Sequence, residues 1–210
     1  MNQLDNQLIV VLAKYDNHPL VPGEPVAVGA NENASGVAVM LEAIRNMKES
    51  GYQPNKTFLF IAYSGEGLEG GEWVTPDISK FLQAKVGFSS TFNVEAIVNV
   101  HGLGAGEGDG LLLSTGGSMR LASLFESAAR RTNVPMSRME DQMDLSVVFD
   151  EGNYTGGGDE APYVGLSWDG WQVNAGTSFD TLDSIDVDHL QKAGEVLSLA
   201  LMVLGRETQY

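Results

Sequence analysis

Apolar residues follow two rhythms along this chain. Leu8 to Tyr15 is an almost unbroken apolar run, the pattern of a strand buried on both faces. Lys56 to Tyr63, Glu95 to Val100 and Val164 to Trp168 repeat it, and Leu111 to Ser114 is a shorter version. Elsewhere the spacing changes to that of a helix. Asn33 to Ser50 places Val37, Met40, Leu41, Ile44 and Met47 on one face, and Gly51 stands where a helix-ending glycine belongs. Further helices are predicted around 77–86, around 118–132 and over Val187 to Arg206. The last carries Leu190, Ala193, Leu197, Ala200, Leu201 and Leu204 as its apolar stripe. Residues 135–160 follow neither rhythm.

Strands alternating with helices through short loops predict an α/β fold, a three-layer sandwich around a mixed, mostly parallel sheet. Such folds place ligands at the carboxyl ends of their strands. That rim would hold Lys14 to Asp16, Glu66 and His101, each just past a buried strand.

Length is compatible with one domain spanning residues 1–210. Strand-forming sequence starts almost at once, so the expectation is a domain cut from a longer protein, with its compartment unreadable. No apolar run approaches the roughly 20 residues that cross a bilayer, and no signal-peptide pattern opens the chain. With no cysteine there is no disulfide framework and no thiolate metal site, so any metal would need His, Asp or Glu. Net charge is −16, from 12 Lys and Arg against 28 Asp and Glu. Such a surface repels phosphate backbones and argues against nucleic acid as a partner. It suits cations or basic peptides, or simply keeps the protein in solution. The partner expected is therefore a peptide or a protein, and oligomeric state is not legible.

Six segments at the predicted rim carry a resemblance: Ala13-Lys14-Tyr15-Asp16, Gly29 to Gly36 (GANENASG), Ser64 to Gly71 (SGEGLEGG), Asn99 to Gly104 (NVHGLG), Gly158 to Tyr163 (GDEAPY) and Gly176 to Asp186 (GTSFDTLDSID). In order and spacing they resemble the di-zinc aminopeptidases of metallopeptidase family twenty-eight. The resemblance implies a zinc-exopeptidase type of fold. It also implies two zinc ions about 3.5–4 Å apart, held by two His, two Asp and one Glu, with a second Glu as general base.

Transferred position by position, that ligand set is altered. The first His is Lys14, and an ammonium has no lone pair to give a dication. The bridging Asp is Glu32, the second Asp is His101, and the last His is Gly176. Of the paired glutamates Glu66 remains, at the general-base position, with Glu69 nearby. Asp16 matches the residue that orients the first ligand, while Asp159 and Glu160 match the cleft wall. Glu32, Glu66 and His101 are the residual metal candidates. His18 is either a substitute ligand or a loop histidine, and His189 is expected at the surface. Trp168, Trp171 and Tyr163 line a pocket or belong to the core, and Asp180 and Asp183 read as structural turn or cap residues.

Two functional classes follow. The first is a non-hydrolytic binding, scaffold or regulatory domain that needs no cofactor, with Lys14 paired to Glu32 or Glu66 in place of metal. The second is a zinc aminopeptidase with an atypical metal site. A further alternative turns the fold to another reaction, as relatives that cyclise glutamine do.

Overall fold

A computed structural model describes residues 6–17, 28–64, 67–69, 72–74, 93–116, 118–139 and 162–207. Its main sheet is built from β1 (Gln7–Lys14), β2 (Thr57–Tyr63), β5 (Asn93–Val100), β6 (Leu111–Gly116), β7 (Met136–Arg138) and β8 (Tyr163–Trp168). The strand order is β2-β1-β5-β8-β6-β7. Four of the five pairings are parallel, and β6 against β8 is the antiparallel one. The mixed, mostly parallel α/β sheet expected from the apolar runs is therefore present. Two short strands, β3 (Gly67–Glu69) and β4 (Glu72–Val74), form a separate antiparallel pair. The strand β7 falls where the sequence shows no rhythm, and the helix expected at 77–86 lies outside the described residues.

Three helices, α1 (Ser35–Glu49), α2 (Met119–Thr132) and α3 (Val187–Leu204), make one layer, with α3 packed between the other two. Their inner faces share a core with Ile9, Val11 and Ala13 of β1 and Ala96, Val98 and Val100 of β5. Leu8, Val10, Leu12 and Ile97 point to the other face and are buried as well. An apolar side chain at every position from Leu8 to Ala13 is what burial on both faces demands.

The helix boundaries follow from their caps. Ser118 Oγ accepts from Leu121 N at 3.3 Å and Asp186 Oδ1 from Asp188 N at 2.8 Å, each satisfying a donor that the first turn leaves open. Gly51 follows α1 with φ 67°, as its position in the sequence requires. The face of α1 needs a correction. Leu41 is 57% exposed, while Gly36, Val39, Met40, Ala43 and Met47 are buried. Periodicity weights large side chains, but the approach to the sheet selects small ones. A Cβ on Gly36 would lie 2.3 Å from Val100 O, so only glycine lets α1 start against the end of β5.

At the opposite end of the sheet the register of β5 against β1 slips by one residue, between the pairs Leu8–Val94 and Ile9–Ala96. Glu95 is the extra residue, and its Oε1 lies 2.8 Å from Nζ of Lys56, whose side chain is fully buried. A buried ion pair contributes little net stability, but removing one partner strands the other charge. Glu95→Ala is expected to cost about 3–5 kcal/mol in urea unfolding, and Lys56→Met with Glu95→Leu much less.

Candidate functional site

The strands β1, β5 and β8 run parallel, so Lys14, His101 and Asp169 leave the sheet at the same rim. The chain from Ala30 to Ala34 makes a single π-helical turn before α1. Asn31 in this turn is buried, and its side-chain amide is fully used. Its Oδ1 accepts from Gly104 N and Ala105 N, both at 2.7 Å, and its Nδ2 donates to Ala105 O at 3.2 Å and Trp171 O at 3.1 Å. Asp180, with 0% exposure, accepts from Asn31 N at 2.6 Å and from Glu32 N at 3.0 Å. Ser35 Oγ donates to Asn31 O and accepts from Leu103 N at 2.8 Å. Three loops distant in sequence are thereby fixed to one another through charged and amide groups that burial makes costly to release.

This network sets the candidate side chains. Glu32 is half-buried, and its Oε2 accepts from Gly176 N at 2.8 Å. Gly176 itself takes φ 70°, a left-handed turn that favours glycine. Position 176 has no side chain to offer, yet its backbone N–H reaches Glu32. Nothing in the residue letters signals that bond.

Lys14 closes β1 with 6% exposure. His101 follows β5, its ring edge-on to Trp171 with centroids 4.8 Å apart. Both His101 ring nitrogens are shielded from solvent and have no hydrogen-bond partner among the described residues. Burial, reinforced by the Lys14 ammonium, pushes the His101 pKa down to about 4. The imidazole is thus neutral at physiological pH. Asp16 is half-buried two residues past Lys14. Glu66, His18, Asp159, Glu160 and the side chain of Glu69 lie outside the described residues.

Other expectations sort clearly. Asp180 is structural, as its turn position suggested, and Asp183 is exposed in a short turn at Leu182–Ser184. Trp168 is core, 1% exposed, with Nε1 donating to Gly108 O at 2.8 Å, whereas Trp171 faces the rim. His189, expected at the surface, is partly buried. It stacks on Trp168 with centroids 3.8 Å apart, and burial lowers its pKa despite Asp186 Oδ2 at 3.7 Å. At neutral pH that contact is therefore no ion pair. Its stacking partner is distant in sequence, which hid the burial.

Polar loops locked together at the carboxyl ends of a mostly parallel sheet, with helices packed against it, define an α/β domain with its candidate site at that rim. The chain belongs to Peptidase family M28, whose sequence pattern matches residues 1–201. Among solved structures it is similar to LapB from Legionella pneumophila, with 22% identity and a TM-score of 0.69 over 96% of this chain and 52% of that one. The zinc aminopeptidase BSAP from Bacillus subtilis gives 20% identity and a TM-score of 0.68 over 99% of this chain and 48% of that one. Fimbriiglobus ruber glutaminyl cyclase gives 20% and 0.70, over 97% and 73%. At these identities the likeness is one of fold. The chain spans about half the length of LapB and BSAP.

Two outcomes follow from the geometry. Asp180→Ala removes a buried acceptor from two backbone donors and is expected to cost about 3 kcal/mol in denaturant unfolding. The second concerns acid. His101 takes up a proton near pH 6.5 when unfolded but only near 4 when folded, so the unfolded state binds more protons between those values. The stability this provides is complete above pH 6.5 and is lost as pH falls through 4, by up to about 1.4 kcal/mol per pH unit. Urea midpoints measured across that window should fall with pH in the parent and less steeply in His101→Gln.

Proposed function

We propose that this chain is an M28 peptidase-like domain without a di-zinc hydrolytic centre, acting as a binding or scaffold domain of a larger protein. The observation that carries this reading is the 2.8 Å hydrogen bond from Gly176 N–H to Glu32 Oε2. By the resemblance, these positions belong to a bridging carboxylate and a histidine ligand. Here they satisfy one another: an N–H with partial positive charge stands where an imidazole lone pair would be needed. Lys14, at the position of the other histidine, offers an ammonium with no lone pair. These residues do not fit two zinc ions. In this reading Lys14 supplies the positive charge that Glu32 and Glu66 need, since carboxylates gathered without a cation repel one another.

One observation favours a second reading. His101 is neutral above about pH 4 and keeps both ring nitrogens without a partner among the described residues, the state a metal ligand requires. With Glu32 and Glu66 it would complete the three protein ligands of a mononuclear zinc site, and the domain would be an aminopeptidase with an atypical centre.

The two readings separate in one experiment. The purified protein is incubated with zinc, freed of excess metal, and assayed for metal per chain and for cleavage of aminoacyl anilides. Neither stoichiometric zinc nor turnover is expected. Stoichiometric zinc with turnover that disappears in Glu66→Gln would overturn the first reading. Lys14→His alone is expected to stay inactive, because position 176 still offers no side chain.

A further inference from the structure

The helical layer carries a feature that the rim does not explain. Between α1 and α3 lies a groove of about 450 Å³. Ala38, Val39, Leu190 and Gly194 line it with apolar atoms, and Glu42 and Glu195 stand at its sides. Val187 borders the same groove and is 72% exposed.

Gly194 sits inside α3, where glycine is a poorer helix former than alanine. Among the described residues no close packing requires it: a Cβ there would meet only Glu42 Cγ, at 4.0 Å. The missing side chain keeps the floor of the groove open. Both ionisable groups lining the groove are acidic. The cation nearest them on α1, Arg45, is shared between Glu42 and Glu49. On α3, Lys192 lies over the Trp168 ring at 6.0 Å, and Asp188 adds a further negative charge at the helix start. The whole chain carries −16.

We propose that the α1–α3 groove is a docking site for a basic amphipathic helix of a partner protein. An apolar floor between two helices accepts the aliphatic stripe of a third. The acidic walls select lysine or arginine on its flanks, and the net charge of the domain steers such a partner in. The groove lies on the helical layer, so this inference stands or falls separately from the zinc question.

The test uses a fluorescein-labelled synthetic helix with Leu at i, i+3, i+4 and i+7 and Lys elsewhere, beside a counterpart with Glu for Lys, followed by fluorescence anisotropy. The Lys peptide is expected to bind, more weakly as salt rises, and the Glu peptide not to bind. Gly194→Leu fills the floor and is expected to weaken binding at least about tenfold, one decade in Kd. Gly194→Ala should keep most of the binding and raise Tm by about 2–4 °C. Glu42→Gln with Glu195→Gln should weaken binding several-fold and flatten its salt dependence. If Gly194→Leu fails to fold by circular dichroism, the double glutamine variant decides. No binding of the Lys peptide, equal binding of both peptides, or binding unchanged in a folded Gly194→Leu or in the double glutamine variant overturns the proposal.

Discussion

A fully buried carboxylate, that of Asp180, is the constraint on which this rim depends. A negative charge out of contact with water is costly unless donors surround it, and the two donors here are backbone N–H groups of Asn31 and Glu32. Ala30 N adds a bond to Asp180 O at 3.3 Å. The segment after β8 is thereby tied to the turn before α1. Asn31 carries the tie onward to Gly104 and Ala105. Each of these groups is conformationally free in an unfolded chain. Only their mutual satisfaction makes the arrangement cheaper than exposure to water.

The consequence for the site is local and chemical. Gly176 lies four residues before Asp180, so the same lock that holds the rim together brings its N–H to Glu32. Glu32 and Gly176 are thereby joined by a hydrogen bond. Beside them, Lys14 and His101 are close enough that the ammonium helps keep the imidazole neutral. At this rim stand the Lys14 ammonium, the Gly176 backbone donor and the uncharged His101 ring. The polar lock and the candidate side chains are different groups of the same loops.

Behind the rim, the helical layer shows how packing and display compete on one helix. In α1, Gly36 faces inward because the approach to the end of β5 leaves no room for a side chain, Ala43 is buried as well, and Leu41 is left at the surface. In α3, Gly194 does the reverse and leaves space unfilled. Small residues thus serve close approach at one place and an open floor at another. The distinction is visible only in what a Cβ would meet.

By itself the sequence determined the strand runs, the final helix and its apolar stripe, the C-terminal glycine of α1, and the six loop segments that carry the family resemblance. These are local signals: unbroken apolar runs, a period of 3.6, a residue type demanded by a backbone angle, and motif letters in order. Tertiary structure alone decided the rotation of α1, the strand at Met136–Arg138, the slipped register that lets Glu95 reach Lys56, the burial of His189 against Trp168 and the bond from Gly176 to Glu32. Each depends on groups far apart in the chain, and two of them on backbone atoms that every residue shares. A backbone N–H has no letter of its own, so its role is settled only when the fold places an acceptor in front of it.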